Sequence, residues 1–136
     1  MVKKSSIIIS IYALLMMTTI ACTGKGNTSK ITSNSEDTPI EVSFHYSPKG
    51  PKAMEKVELT VFITQENDLV QDADGVKYEL WEEGQEQHEL ITASKTKDGS
   101  YSSPYTFTKP GKYYVIFHVD ARGFHNMKKN ELIILP

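Results

Sequence analysis

From Ile40 onward the apolar residues fall on alternate positions: Ile40, Val42, Phe44 and Tyr46 are interleaved with Glu41, Ser43 and His45. A period of two places one set of side chains on one face of a pleated chain, so the segment predicts a half-buried strand. The pattern returns after the turn-forming "SPKGP", where Val57, Leu59, Val61 and Ile63 alternate with Glu58, Thr60 and Phe62. It returns again after "DADG" with Val76, Tyr78 and Leu80. A weaker segment over residues 88–94 precedes the turn "KDG", followed by "SYSSPYTF", by "KYYVIFHVD" after Pro110-Gly111, and by "NELIIL" near the end. Turn residues separate these runs, and no helical period of useful length interrupts them. About seven short strands of this kind predict an all-β fold, an antiparallel β-sandwich.

Two details point to an immunoglobulin-like arrangement. Gly111-x-Tyr113 opens the sixth predicted strand. A tyrosine at that place can make the corner hydrogen bond to backbone on which such sandwiches rely, and Val115 then stands where antibody domains carry their second cysteine. Trp81 has the opposite parity to Val76, Tyr78 and Leu80, which predicts a rim residue instead of a central core tryptophan. Of the later aromatics, Tyr101, Tyr105, Phe107, Tyr113, Tyr114 and Phe117, most are expected in the core, and those on the other face are left as a surface for a protein partner.

The first residues change the picture. Lys3 and Lys4 precede an apolar run from Ile7 to Met17 and a patch of small residues up to Ala21, the layout of an export signal. Thr19-Ile20-Ala21-Cys22 resembles the lipobox of bacterial lipoproteins, with Thr19 where leucine is usual. Cys22 is the only cysteine of the chain, so it has no intramolecular disulfide to make. The expectation is a lipoprotein signal peptide over 1–21, a lipidated Cys22 opening a flexible tether over 22–39, and a single folded domain over 40–136. Residues 23–39 are rich in Ser, Thr and Asn, with Ile31 their only large apolar side chain, and cannot bury enough surface to offset their ordering entropy. Acyl chains on Cys22 would contribute roughly 0.8 kcal/mol per buried methylene, tethering the domain to the extracytoplasmic face of a bacterial cell membrane without spanning it.

Charge narrows the partners. Of 15 Lys plus Arg, two leave with the signal, so 13 basic residues face 17 acidic ones and the net charge beyond the signal is −4. Mild acidity argues against nucleic acid and against anionic lipid surface.

The span from about Pro51 to Leu135 resembles the YtkA-like family of bacterial extracytoplasmic domains. The residues that carry the resemblance are "PKAMEKVELTVFIT", "DGVKYELWEEG", "DGSYSSPYTFTKPGKYYVIFHV" and "ARGFHNMKKNELIIL". The resemblance implies an immunoglobulin-like sandwich, often on a lipoprotein or near membrane redox and copper-handling systems, and no defined catalytic activity.

One stretch carries candidate chemistry. "HVDARGFHNM" holds His118, His125 and Met127 around a predicted hairpin whose loop is read as Ala121 to Asn126, which sets Asp120 opposite Met127. His125 and Met127 are two apart and point the same way in extended chain. Imidazole with thioether suits copper, the thioether favouring Cu(I), and Met54 and His45 are further donors if the loops converge. The same residues also have plainer uses: His118 packed beside Tyr114 and Ile116, His125 in a loop, Met127 filling core space. No nucleophile elbow, HExxH or phosphate loop occurs, so no enzyme is expected. The acidic "WEEGQEQHE" reads as a solvated hairpin turn, since it lacks calcium-loop spacing. The leading expectation is therefore a membrane-anchored, non-catalytic binding or assembly module with a protein partner in the envelope and no required cofactor. The alternative is a copper-binding accessory protein using His118, His125, Met127 and Met54.

Overall fold

The computed structural model describes residues 38–136. The expected signal peptide, Cys22 and nearly all of the expected tether lie outside the described residues. Nine strands follow in chain order: β1 Glu41–Ser47, β2 Lys56–Gln65, β3 Asp68–Leu69, β4 Gly75–Glu82, β5 Glu89–Thr92, β6 Ser94–Lys95, β7 Tyr101–Thr106, β8 Gly111–Ala121 and β9 Phe124–Ile134. They form two antiparallel sheets. One has the order β1-β2-β7-β6 with β3 added to β2, and the other the order β5-β4-β8-β9. This is the expected all-β, immunoglobulin-like sandwich, with two-residue strands β3 and β6 in addition to the seven longer ones.

The alternation on β2, β4 and β8 dictates the layering. Val57, Leu59, Val61 and Ile63 of β2 face Val76, Tyr78 and Leu80 of β4 and Tyr113, Val115, Phe117 and Val119 of β8, and all are buried. Each such side chain contributes roughly 1.5–3 kcal/mol by leaving water, and with no disulfide in the domain this burial is the main stabilising term. Two tyrosines tie the layers together. Tyr78 on β4 donates its hydroxyl to the backbone carbonyl of Tyr101 on β7 at 3.0 Å, and the Tyr101 hydroxyl accepts from the Ala73 amide at 3.0 Å.

The expected tyrosine corner is present: the Tyr113 hydroxyl donates to the Lys109 carbonyl at 3.1 Å across the turn that leads into β8. Trp81 lies on the outward side of β4, stacked on His88. The β8–β9 connection differs from the expected six-residue loop. It is a two-residue turn, Arg122-Gly123, with φ of 52° and 79°. Positive φ at both central residues makes this the kind of turn whose twist matches that of the flanking strands, so pairing continues to the tip. Ala121 pairs Phe124, Asp120 pairs His125, and His118 pairs Met127.

Candidate functional site

The face of the β5-β4-β8-β9 sheet that points away from the core collects most of the chemistry-bearing side chains. Pleating sends Lys77, Glu79 and Trp81 of β4 outward, with Tyr114, Ile116, His118 and Asp120 of β8 and His125, Met127 and Lys129 of β9. The ladder arranges them in rows across the sheet. Lys77, His118 and Met127 form one row, Asp120 and His125 the next, and Trp81, Tyr114 and Glu131 lie further along.

One half of this face is satisfied by its own contacts. The Lys129 ammonium sits 3.7 Å from the Tyr114 ring centroid and 5.4 Å from that of Trp81. Lys112 bridges Glu83 at 3.2 Å and Glu131 at 3.4 Å. Hydrogen bonding to the Tyr114 hydroxyl and then to Glu83 holds the Lys112 ammonium above its ordinary value, and hydrogen bonds from Tyr114 and then from Lys112 hold the Glu83 carboxyl below its own.

The other half carries imidazoles and a thioether. His118 lies directly across the ladder from Met127, a residue that is 52% exposed. The rings of His118 and His125 are 6.1 Å apart between centroids. Each histidine is also held by a carboxylate: His118 Nε2 lies 2.9 Å from Glu79 Oε2, and His125 Nδ1 lies 2.6 Å from Asp120 Oδ1. Glu79 binds a third histidine through its other oxygen, with His88 Nδ1 at 2.6 Å from Oε1. Hydrogen bonds from His88 and then His118 outweigh the small cost of burial and hold the Glu79 carboxyl below the usual glutamate range. A shallow cleft of about 460 Å³ runs over this cluster, lined by Lys77, Glu79, His88, Leu90, His118, Asp120 and His125.

The structure therefore brings His118, His125 and Met127 together on one exposed face. Met54 is not brought to them. Its amide donates to the Phe107 carbonyl and its neighbour Ala53 donates to the Leu135 carbonyl, just past the end of β9, so Met54 lies near the far end of that strand, and roughly 26 Å of extended chain separates Leu135 from Met127. His45 is also elsewhere, on β1 of the other sheet, edge-on to Phe62.

Sequence reasoning missed Glu79 and His88. Glu79 had a signal, since it shares parity with Lys77 and Trp81 and so had to point outward. His88 falls in the segment read as a solvated turn, but its side chain is only 35% exposed, because that turn folds back over the sheet and stacks the ring on Trp81.

Among the described residues no three His, Cys, Asp or Glu side chains converge to hold a metal ion. A third donor for an ion held by His118 and His125 would be the Met127 thioether, which lies across the ladder from His118. Two imidazoles on one ion, with metal–nitrogen bonds of about 2.0–2.1 Å and each centroid about 1.2 Å behind its nitrogen, have centroids no more than about 6.5 Å apart. The observed 6.1 Å lies within that limit, which is reached when the two nitrogens and the ion are in line, and it corresponds to a wide angle between linear and trigonal.

A family model described as YtkA-like matches residues 34–118, well over half of the chain. The matched span takes in β1 through most of β8 and ends at His118, so His125 and Met127 lie beyond it. No curated protein matches the chain. Among solved structures, the chain is similar to the solution structure of the PKD domain from human VPS10 domain-containing receptor SorCS2. The two are 19% identical over 71% of this chain and 75% of that one, with a TM-score of 0.40.

Proposed function

The chain belongs to the YtkA-like family, and from that premise we propose that it is a lipid-anchored, non-catalytic binding module of the extracytoplasmic membrane face, and that the ligand is Cu(I) held by His118, His125 and Met127. Family membership supports the coarse part of this reading, a non-catalytic domain of extracytoplasmic type. The finer part is carried by one observation: the two-residue turn sets His118 directly opposite Met127 with the His125 ring 6.1 Å away. The sequence placed an assembly module first and copper second. The geometry favours copper, because two borderline imidazoles and one soft thioether on a solvent-facing surface suit Cu(I) better than a hard or borderline divalent ion. Anchoring would act through Cys22, which is not in the described residues.

Two experiments test the two parts. The chain is expected to sediment with membranes and a Cys22→Ser variant to remain in the soluble fraction; equal membrane partition of both would sink the lipid anchor. Residues 22–136 carrying Cys22→Ser, a substitution that also removes a competing thiolate ligand, are then titrated with Cu(I) under anaerobic conditions against a competing chelator. One-to-one binding is expected, lost in a His125→Ala/Met127→Ala variant. Binding that is absent, or unchanged by the double substitution, would overturn the copper reading and leave this face as a surface for a protein partner.

A further inference from the structure

We infer that Glu79 and Asp120 are positioning residues of the proposed ion site, assigning opposite tautomers to its two histidines so that His118 presents Nδ1 and His125 presents Nε2. This rests on the copper reading for its purpose, though not for its geometry.

An ionised carboxylate is only an acceptor, so a ring nitrogen within hydrogen-bond distance of one must carry the proton. Glu79 Oε2 is 2.9 Å from His118 Nε2, and Asp120 Oδ1 is 2.6 Å from His125 Nδ1. A neutral imidazole has one N–H, so Nε2–H at His118 leaves a lone pair on Nδ1, and Nδ1–H at His125 leaves one on Nε2. A carboxylate on the far nitrogen of a metal-binding histidine orients the ring and raises its basicity as a ligand. Here both imidazoles of the cluster carry one.

The two carboxylates differ in reach. Asp120 faces His125 directly across the β8–β9 ladder and serves that ring alone. Glu79 stands on β4, diagonal to His118, and its second oxygen accepts a hydrogen bond from His88 Nδ1 at 2.6 Å. The His88 ring stacks on Trp81 with centroids 4.0 Å apart and planes 12° from parallel. Glu79 is thus pinned from the β4–β5 loop, with both oxygens occupied by ring N–H groups. It can turn toward neither the cleft nor the Lys77 ammonium without giving up one of them.

The test uses residues 22–136 with Cys22→Ser. Long-range ¹H–¹⁵N spectra of the imidazoles are recorded without metal at about pH 8, above the ordinary histidine value near 6.5. The unprotonated nitrogen is expected at Nδ1 of His118 and at Nε2 of His125. Glu79→Gln is expected to mix the His118 tautomers while leaving His125 and the backbone amide spectrum of the sheet unchanged, and Asp120→Asn to do the reverse. Cu(I) affinity against the chelator is expected to fall about 10–100-fold in each variant, the range for outer-shell partners of metal ligands. The same tautomer at both histidines of the unsubstituted chain, or unmoved tautomers in both variants, would overturn the inference. So would wild-type Cu(I) affinity in both variants. Failure of the unsubstituted chain to bind Cu(I) would overturn the copper reading instead, while the metal-free spectra would still decide the tautomers.

Discussion

Replacing Gly123 by alanine isolates the feature that sets the register of the site. Gly123 has φ of 79° and nothing within 4 Å of the position a Cβ would take, so alanine there meets no atom and only the backbone conformation resists it. A left-handed φ costs a residue with a Cβ about 1–2 kcal/mol. Against this, alanine stiffens the unfolded chain and returns about 0.4–1 kcal/mol. Gly75, at the start of β4, is the control: its φ is not left-handed and its Cβ position is also open. Gly75→Ala has the same unfolded-state gain without the strain, so it is expected to stabilise slightly. The difference between the two variants is then the strain itself, about 1–2 kcal/mol. Urea midpoints at unchanged slope read it directly, and for a domain of this size each kcal/mol also moves the melting temperature by about 4–8 °C. Equal stability of the two variants within about 0.3 kcal/mol would refute the two-residue turn, and with it the pairing of His118 with Met127.

Other expectations follow from the core. Gly99→Ala combines a left-handed φ of 84° with a Cβ 2.6 Å from Leu69 Cδ2, the end of a half-buried side chain that can swing aside, so it is expected to cost at least as much as Gly123→Ala, about 1–2 kcal/mol of strain, in the same urea measurement. Tyr113→Phe removes the corner hydrogen bond to the Lys109 carbonyl and is expected to lower stability by about 1 kcal/mol. Burial pushes the Tyr78 hydroxyl well above its ordinary value, with Glu58 adding to the shift. The folded chain therefore keeps this proton where the unfolded chain releases it near pH 10, so stability is full below about pH 10 and falls as pH rises beyond it. Denaturation at about pH 9 and pH 11 is expected to show that loss, and Tyr78→Phe to reduce it.

The sandwich was legible because its strands differ in what they face. Ile40 to Tyr46 and Val57 to Val61 alternate apolar with polar residues, and a strand with one face in the core leaves that pattern in its residues; in Tyr113 to Val119 the burial alternates although Tyr114 and Ile116 are apolar on the outward face. The tyrosine corner was legible for a local reason, since Gly111-x-Tyr113 spans only the turn that the hydroxyl closes. The strands β3 and β6 were not, because two residues carry no period. The hairpin tip was misjudged because Arg122 takes φ of 52°, which residues with a Cβ seldom adopt, and Arg-Gly lacks the signal of Asn-Gly. That shift of the turn is what moves Met127 from opposite Asp120 to opposite His118. Glu79 and His88 could not be joined to the site from spacing, since 39 residues separate Glu79 from His118 and only the β4–β8 ladder brings them together.

Building the site on strands instead of loops has a consequence for how an ion would bind. His118, His125 and Met127 are held by the β8–β9 ladder, and both histidines are oriented by carboxylates before any ligand arrives. Little chain has to be ordered on binding, so the entropy term that weakens sites assembled from flexible segments is small. An ion that binds only the folded chain stabilises it by RT ln(1 + [L]/Kd), about 2.7 kcal/mol at a free concentration 100 times Kd. Cu(I) is therefore expected to raise the urea midpoint of the Cys22→Ser chain while leaving its far-ultraviolet circular dichroism and its denaturant slope unchanged. A slope that rises with the ion would mean that binding orders surface left open in the free chain. The donors would then be gathered by the metal, and the carboxylate clamps on His118 and His125 would have no orienting role.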